Sequence, residues 1–151
     1  ADAKATPERI AAIAADPDGF AAGILDLNRT VTLPDGTVVR SVPFSMHWLV
    51  DGDTFIGETW FRHVLNERLL QSGGHIGFGV RPLFERRGDG KRMLKLVLHE
   101  ARRRGLDRVL LTAHEWNIGS QRIIEANGGL LENSVEDING GGKLRRYWIA
   151  L

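Results

Sequence analysis

Residues 75–80 read HIGFGV and run directly into RPLFERRGDGKRML. An apolar run that ends in a glycine-containing basic loop predicts a buried strand, a turn and the first turn of a helix. At such a helix start several backbone N–H groups lack an intrahelical acceptor, and together with the helix dipole they attract an anion such as a diphosphate. Arg86, Arg87 and Lys91 add positive charge around Gly88, Asp89 and Gly90. The chemistry expected of this segment is binding of a nucleotide-like cofactor.

Glycine spacing narrows the choice, because each phosphate loop places its glycines where its own geometry needs them. A dinucleotide GxGxxG fits Gly88 and Gly90 and then meets Met93. The GxxxxGK loop followed by Ser or Thr would need glycine at Glu85 and a hydroxyl at Arg92. What fits at all but one position is Gln or Arg, two free positions, Gly, one free position, then Gly or Ala. Here it runs Glu85, Arg86, Arg87, Gly88, Asp89, Gly90, after Val80, Arg81 and Pro82. This segment resembles the GNAT superfamily of acyl-CoA-dependent N-acetyltransferases, in which the loop holds the CoA pyrophosphate. The departure is Glu85, whose carboxylate opposes a bound diphosphate by about 1 kcal/mol at 4 Å in water.

The downstream segments follow in the order this resemblance requires. Met93, Leu94, Leu96, Val97, Leu98 and Ala101 form an apolar stripe, with Lys95, Glu100 and residues 102–104 outward and Gly105 as the stop. Residues 108–112, RVLLT, suit a parallel strand buried on both faces. Asn117 is a natural N-cap for a helix with Ile123 and Ile124 inside, closed by left-handed backbone at Asn127, Gly128 and Gly129. Arg62, His63, Leu65 and Asn66, then Gly73, Gly74, His75, Ile76 and Gly77, look most like a bacterial branch of the superfamily with the pattern RHxLN, GGHIGF or GGHIGY, VRP.

The resemblance implies an α/β (α+β) fold with a mixed, mostly antiparallel central sheet flanked by helices. It implies transfer of an acetyl group from acetyl-CoA to a primary amine by direct attack in a ternary complex, with no metal. The cofactor contacts it implies are Phe78, Gly79, Val80, Arg86, Arg87, Gly88, Asp89, Gly90 and Lys91, with Asn117 and Ser120 on the pantetheine arm. Backbone N–H groups at Phe78, Gly79 and Val80 would polarise the thioester carbonyl.

For the base, His75, His63 and Glu58 are the titratable candidates near the expected strands, with Glu115 beside them. Imidazole titrates near neutrality, as proton removal requires. Strand alternation puts the family's base in register with Gly74 or Ile76 instead of His75, unless a bulge at Gly73 and Gly74 re-aims the ring. Glu58 could instead bind the acceptor's ammonium group. The family's tyrosine acid falls at Ile124, and the single tyrosine is Tyr147. His47, His99 and His114 read as structural or surface residues, and Trp116, next to Asn117, as the best aromatic ligand contact. Glu85 and Ile124 support a second class of function, a catalytically silent CoA-binding or protein-interaction module. Transfer of a longer acyl chain is a third reading, to be decided by space near Phe78 and Leu111.

Composition is that of one small globular domain: 151 residues, 42% hydrophobic, 26% charged. A formal net charge of +1 gives no pull toward nucleic acid, and residues 102–104 read as a solvated helix face. The absence of cysteine excludes disulfides and thiolate metal sites, and the five histidines show no HExxH or HxH spacing. No stretch is long and apolar enough for a membrane span or leader, so a cytoplasmic protein is expected, with a small-molecule or protein amine as partner and room for a homodimer.

Residues 1–30 are expected to be a helical segment and 31–151 the GNAT domain. Residues 7–15 read as an alanine-rich helix, broken by Asp16, Pro17, Asp18 and Gly19, with a second piece over 20–27. No convincing first strand precedes the helices, so this part is expected to be trimmed or diverged. Residues 30–40 read as a hairpin about Pro34, Asp35 and Gly36. Strands follow over 44–50, 54–62 and 74–80, and the chain closes with 130–135, a glycine-rich turn over 139–142, and 143–151.

Overall fold

The computed structural model describes residues 11, 12, 14–26, 29–32 and 36–151. The chain forms two compact units, Ala1–Val42 and Pro43–Leu151.

In the first unit, residues 11, 12, 14 and 15 are helical, and the rest of the helix expected over 7–15 lies outside the described residues. Helix α1 spans Pro17–Leu25. The break falls at Asp16 as expected, but the second helical piece starts at Pro17 instead of residue 20. Asp16 Oδ1 accepts from Gly19 N–H at 2.8 Å, and Pro17 occupies a first-turn position that needs no donor. Strands β1, Thr30–Thr32, and β2, Val38–Arg40, pair antiparallel with Thr30 opposite Arg40, as a hairpin requires. Its tip at Pro34 and Asp35 lies outside the described residues.

The second unit begins with β3, Phe44–Asp51, and β4, Thr54–Arg62. A short helix α2, Glu67–Gln71, follows, unforeseen in the sequence and capped by Asn66, whose Oδ1 accepts from Leu69 N–H at 2.9 Å. Then come β5, Ile76–Val80, a 3-10 turn, Pro82–Phe84, and α3, Asp89–Arg103. The chain closes with β6, Arg108–His114, α4, Ile118–Glu125, β7, Leu130–Glu136, and β8, Lys143–Ala150. Two three-stranded antiparallel sheets result, in the orders β3-β4-β5 and β6-β8-β7.

Alternation along β4 divides its two faces. Thr59 and Phe61 are buried, and a Cβ at Gly57 would stand 3.1 Å from Met93 Sδ, so this face lies under α3. Glu58 and Trp60 point to the other face. On α3 the buried stripe is Met93, Leu94, Val97 and Ala101, while Leu96 departs from the expected stripe and is 55% exposed. On the helical wheel Leu96 lies about 60° outside the arc that the stripe spans, so its apolar character does not bring it inward. The helix stops at Gly105, with φ at 81°.

Strand β6 runs two residues beyond the expected Thr112, to His114, and Val109, Leu110 and Leu111 are fully buried. Burial on both faces is as expected of a parallel strand, but its ladder is antiparallel, to β8. Of the residues closing α4, only Gly128 is left-handed, at φ 89°. Gly129 serves space instead, since a Cβ there would lie 2.4 Å from Ile124 Cγ2.

Candidate functional site

The 3-10 turn after β5 uses Phe84 N–H and Glu85 N–H on the carbonyls of Arg81 and Pro82, at 2.8 and 3.3 Å. The chain then turns through Arg86 at φ 61°, the only non-glycine residue with positive φ among the described residues. Such backbone costs about 1 kcal/mol or more and clusters at functional sites. Gly88 follows at φ 91° as the N-cap of α3, and its carbonyl accepts the first helical bond, from Arg92 N–H at 3.0 Å. The N–H groups of residues 86–91 have no acceptor among the described residues. A Cβ at Gly88 would meet nothing within 4 Å, so the space over these donors is open.

This cradle is held rigidly. A Cβ at Gly90 would lie 2.8 Å from Ile123 Cδ1 and 3.4 Å from Val80 Cγ2, so the start of α3 sits directly against α4 and the end of β5. Asn127 Nδ2 donates to Ile123 O at 2.9 Å and Lys91 O at 3.3 Å. The Arg87 and Arg81 guanidiniums lie 5.1 and 5.7 Å from the centroid of the Phe84 ring. Arg86 and Lys91 are exposed, and so is Glu85. Three cations, Arg86, Arg87 and Lys91, thus stand against two carboxylates, Glu85 and Asp89.

The strand leading to the cradle has an open edge. Arg62 N–H donates to His75 O at 2.7 Å and Arg81 N–H to Ile56 O at 2.9 Å. By alternation, the pairs Trp60/Gly77 and Glu58/Gly79 exchange bonds, and Phe78 and Val80 aim N–H and C=O away from β4. On that side β5 meets β6 at a single bridge, Gly74 to Leu111. His75 N–H donates to Leu110 O at 2.7 Å and Gly73 N–H to Thr112 Oγ1 at 3.3 Å. Gly74 is required here: at φ 67°, a Cβ would stand 2.4 Å from Leu110 O. Beyond this junction no hydrogen bond joins Ile76–Val80 to β6 among the described residues. A slot results whose wall carries the Phe78 and Val80 donors and whose mouth is the cradle, while Gly79 turns its backbone to Glu58.

The three expected catalytic side chains separate. Gly73 and Gly74, at φ 124° and 67°, do re-aim the chain before β5, but they turn His75 into the sheet junction. Its Nδ1 accepts from Leu110 N–H at 2.9 Å, and its ring meets the edge of Trp148 at 6.4 Å. Burial lowers its pKa to about 4, and the Arg62 guanidinium acts in the same direction. A donor faces an unprotonated nitrogen, so the Leu110 bond also favours the neutral ring.

His63 Nε2 lies 2.8 Å from Ser45 Oγ, and its ring packs on Phe61. Its pKa is lowered, first by burial and then by Arg104 at the far end of α3. The cradle is at the near end of that 15-residue helix, about 20 Å away at 1.5 Å per residue. Glu58 stands opposite Gly79. Cβ atoms at Gly77 and Gly79 would meet nothing within 4 Å, which leaves bare backbone beside its carboxylate. Glu58 makes no side-chain hydrogen bond or ion pair among the described residues. Of the three, only Glu58 lies beside β5, one strand in from the slot.

Asn117 caps α4, its Oδ1 accepting from Ser120 N–H at 3.0 Å. Trp116 is 72% exposed and stacks on His114, with centroids 5.2 Å apart. Tyr147 is buried, donates to Glu125 Oε1 at 3.3 Å and has its pKa raised by burial, while Ile124 is fully buried. Arg62, which stands out in the sequence only as the first residue of the RHxLN pattern and not as a site residue, donates from Nη1 to Gly74 O at 3.1 Å and braces the junction.

A cleft of about 250 Å³ between α3 and β3, lined by His47, Leu49, Thr59, Met93, Val97 and Glu100, lies across β4 and β5 from the slot. Among the described residues no His, Asp or Glu cluster could hold a metal, and no helix is long and apolar enough to cross a membrane.

The model of the acetyltransferase (GNAT) domain matches residues 8–129. No curated protein matches the sequence. Among solved structures, a putative acetyltransferase from Salmonella typhimurium with acetyl-CoA is 16% identical, at TM-score 0.60, over 72% of this chain and 65% of its own. A ribosomal L7/L12 alpha-N-protein acetyltransferase in complex with coenzyme A is 17% identical, at 0.58, over 70% and 61%. A spermidine N-acetyltransferase mutant from Vibrio cholerae is 17% identical, at 0.58, over 70% and 64%. The chain thus spans less than two thirds of each of these proteins, and the likeness to them is one of fold.

Proposed function

The chain belongs to the GNAT family of acetyltransferases, and on that premise we propose that it moves an acetyl group from acetyl-CoA to a primary amine by direct attack in a ternary complex. One observation carries the reading: the run of unpaired N–H groups over residues 86–91 lies at the end of a strand whose outer edge is itself unpaired. Diphosphate and thioester need these two donor sets in this order. Placement in the RHxLN and GGHIG branch is part of the same proposal.

When bound, acetyl-CoA supplies an activated acetyl thioester. The cradle N–H groups, with Arg86, Arg87 and Lys91, hold the diphosphate. Phe78 and Val80 N–H orient and polarise the thioester carbonyl, and Asn117 and Ser120 border the pantetheine path. Glu58 holds the acceptor's ammonium group and takes its proton, leaving the amine free to attack. Holding both reactants in register supplies several kcal/mol of the barrier without further acid or base. Tyr147, tied to Glu125 in the core, is not placed to act as an acid at this edge, so the second proton shed by the attacking nitrogen would pass to solvent as the thiolate is released. Its further partner in this reading is a second copy of the chain, at the outer edge of β3 or β7, neither of which has a partner strand among the described residues.

Glu85 favours a second reading, a module that binds CoA and does not turn over. Thiol release from acetyl-CoA with a panel of amines separates the two. Spermidine, aminoglycosides and peptides with a free amino terminus make up the panel. Release above background with any of them supports transfer, and binding without release across the panel favours the silent module.

A further inference from the structure

The geometry points to Asp137 as a positioning residue for acyl transfer, whose carboxylate latches the β7–β8 turn to the bend that starts β5 and so fixes how β5 leaves β6. The inference rests on the acetyl-transfer reading above.

Asp137 follows β7 directly, and its side chain is 7% exposed. Its Oδ1 accepts from Ser72 Oγ at 2.8 Å, Asn139 N–H at 2.9 Å and Asn139 Nδ2 at 2.9 Å. Its Oδ2 accepts from Gly141 N–H at 3.3 Å and faces His114 Nε2 at 3.8 Å. Burial alone would raise its pKa, but the donors on Asn139, Ser72 and Gly141 outweigh burial and hold it below the usual carboxylate range. Asn139 extends the latch, with Nδ2 also 3.1 Å from Ser72 Oγ and its Oδ1 bonded by Arg68 Nη2 of α2.

A carboxylate that merely shapes its own turn needs the donors of residues 139 and 141. Ser72, 65 positions away, has no part in that turn. It is, however, the residue before Gly73 and Gly74, and Gly74 makes the single bridge to Leu111 of β6 just ahead of β5. Thr112 Oγ1, Leu69 O and Arg62 Nη1 hold Gly73 N–H, Gly74 N–H and Gly74 O at the same point. From Gly74 to Val80 the strand is a lever of about 20 Å, so a tilt of about 3° at the junction moves Val80 by about 1 Å. Misplacement on that scale can cost as much as 10²-fold in rate.

The test is kinetic and uses the full chain with hydroxylamine, a small amine that needs no acceptor pocket. Thiol release from acetyl-CoA gives kcat and the acetyl-CoA KM for wild type, Asp137→Asn, Asp137→Ala and Ser72→Ala. The expected result is a kcat loss of tenfold or more in both Asp137 variants and a smaller loss in Ser72→Ala, with KM within twofold, at temperatures well below each melting point. If the Asp137 variants do not fold, Ser72→Ala carries the test. Unchanged kcat alongside a lowered melting temperature, or a loss confined to KM, overturns the inference and leaves the acetyl-transfer reading intact. A wild type that binds no acetyl-CoA by calorimetry, or releases no thiol, removes both.

Discussion

His75 makes protein stability depend on pH in a way that can be calculated and checked. The ring is 9% exposed, its Nδ1 is occupied by Leu110 N–H, and its pKa is lowered from 6.5 to about 4. The unfolded chain therefore binds a proton that the folded chain refuses between those two values. The stability from the neutral ring is fully present above pH 6.5 and is lost as pH falls toward 4, to a limit of about 3 kcal/mol. Between pH 7 and pH 5 the loss is about 2 kcal/mol, or roughly 4 to 8 °C in melting temperature for a chain of this size. The assay is thermal or urea unfolding at several pH values, comparing wild type with His75→Asn. The Asn Oδ1 stands where Nδ1 was, keeps the Leu110 bond and does not titrate. His63, also lowered, titrates in both proteins and cancels in the difference. Equal losses for the two proteins between pH 7 and pH 5 would refute the reasoning, as would an NMR titration that puts His75 near 6.5.

Two other substitutions test the site. Gly88→Val forces a β-branched residue to φ 91° and points its side chain into the open space over the cradle. The backbone strain is about 1 to 2 kcal/mol, and the account expects acetyl-CoA affinity to fall tenfold or more, read by calorimetry, while circular dichroism is unchanged. Glu58→Gln keeps shape and removes charge, so kcat with a cationic amine should fall about 10²-fold or more. A variant that retains the wild-type rate would leave Glu58 without a role.

The run from β5 through α3 was legible because it rests on local rules. An apolar strand, a glycine at a positive-φ cap and a helical stripe each announce themselves within a few residues, and the hairpin of β1 and β2 does the same. What escaped depends on chain that is distant in sequence. Asp16 and Pro17 do break one helix, but the same residue types cap and start the next, and only the N–H that the Asp16 carboxylate accepts from shows where it begins. Leu96 is apolar, but its angle on α3 keeps it out of the core. Gly73 and Gly74 signalled a bend, although only the position of Leu110 shows that the bend buries His75 instead of presenting it. His63 reads as a candidate base near the active-site strands, but it packs on Phe61 beside Arg104, at the end of α3 away from the cradle. Asp137 left no motif because its donor Ser72 is on a different element.

The central claim is that the N–H groups of residues 86–91 bind a CoA diphosphate despite Glu85. Calorimetric titration of acetyl-CoA into the purified chain and into Glu85→Arg tests it most directly. The account predicts micromolar binding by the wild type, about 8 kcal/mol, and tighter binding once Glu85 is replaced. Absence of binding in both proteins would contradict it.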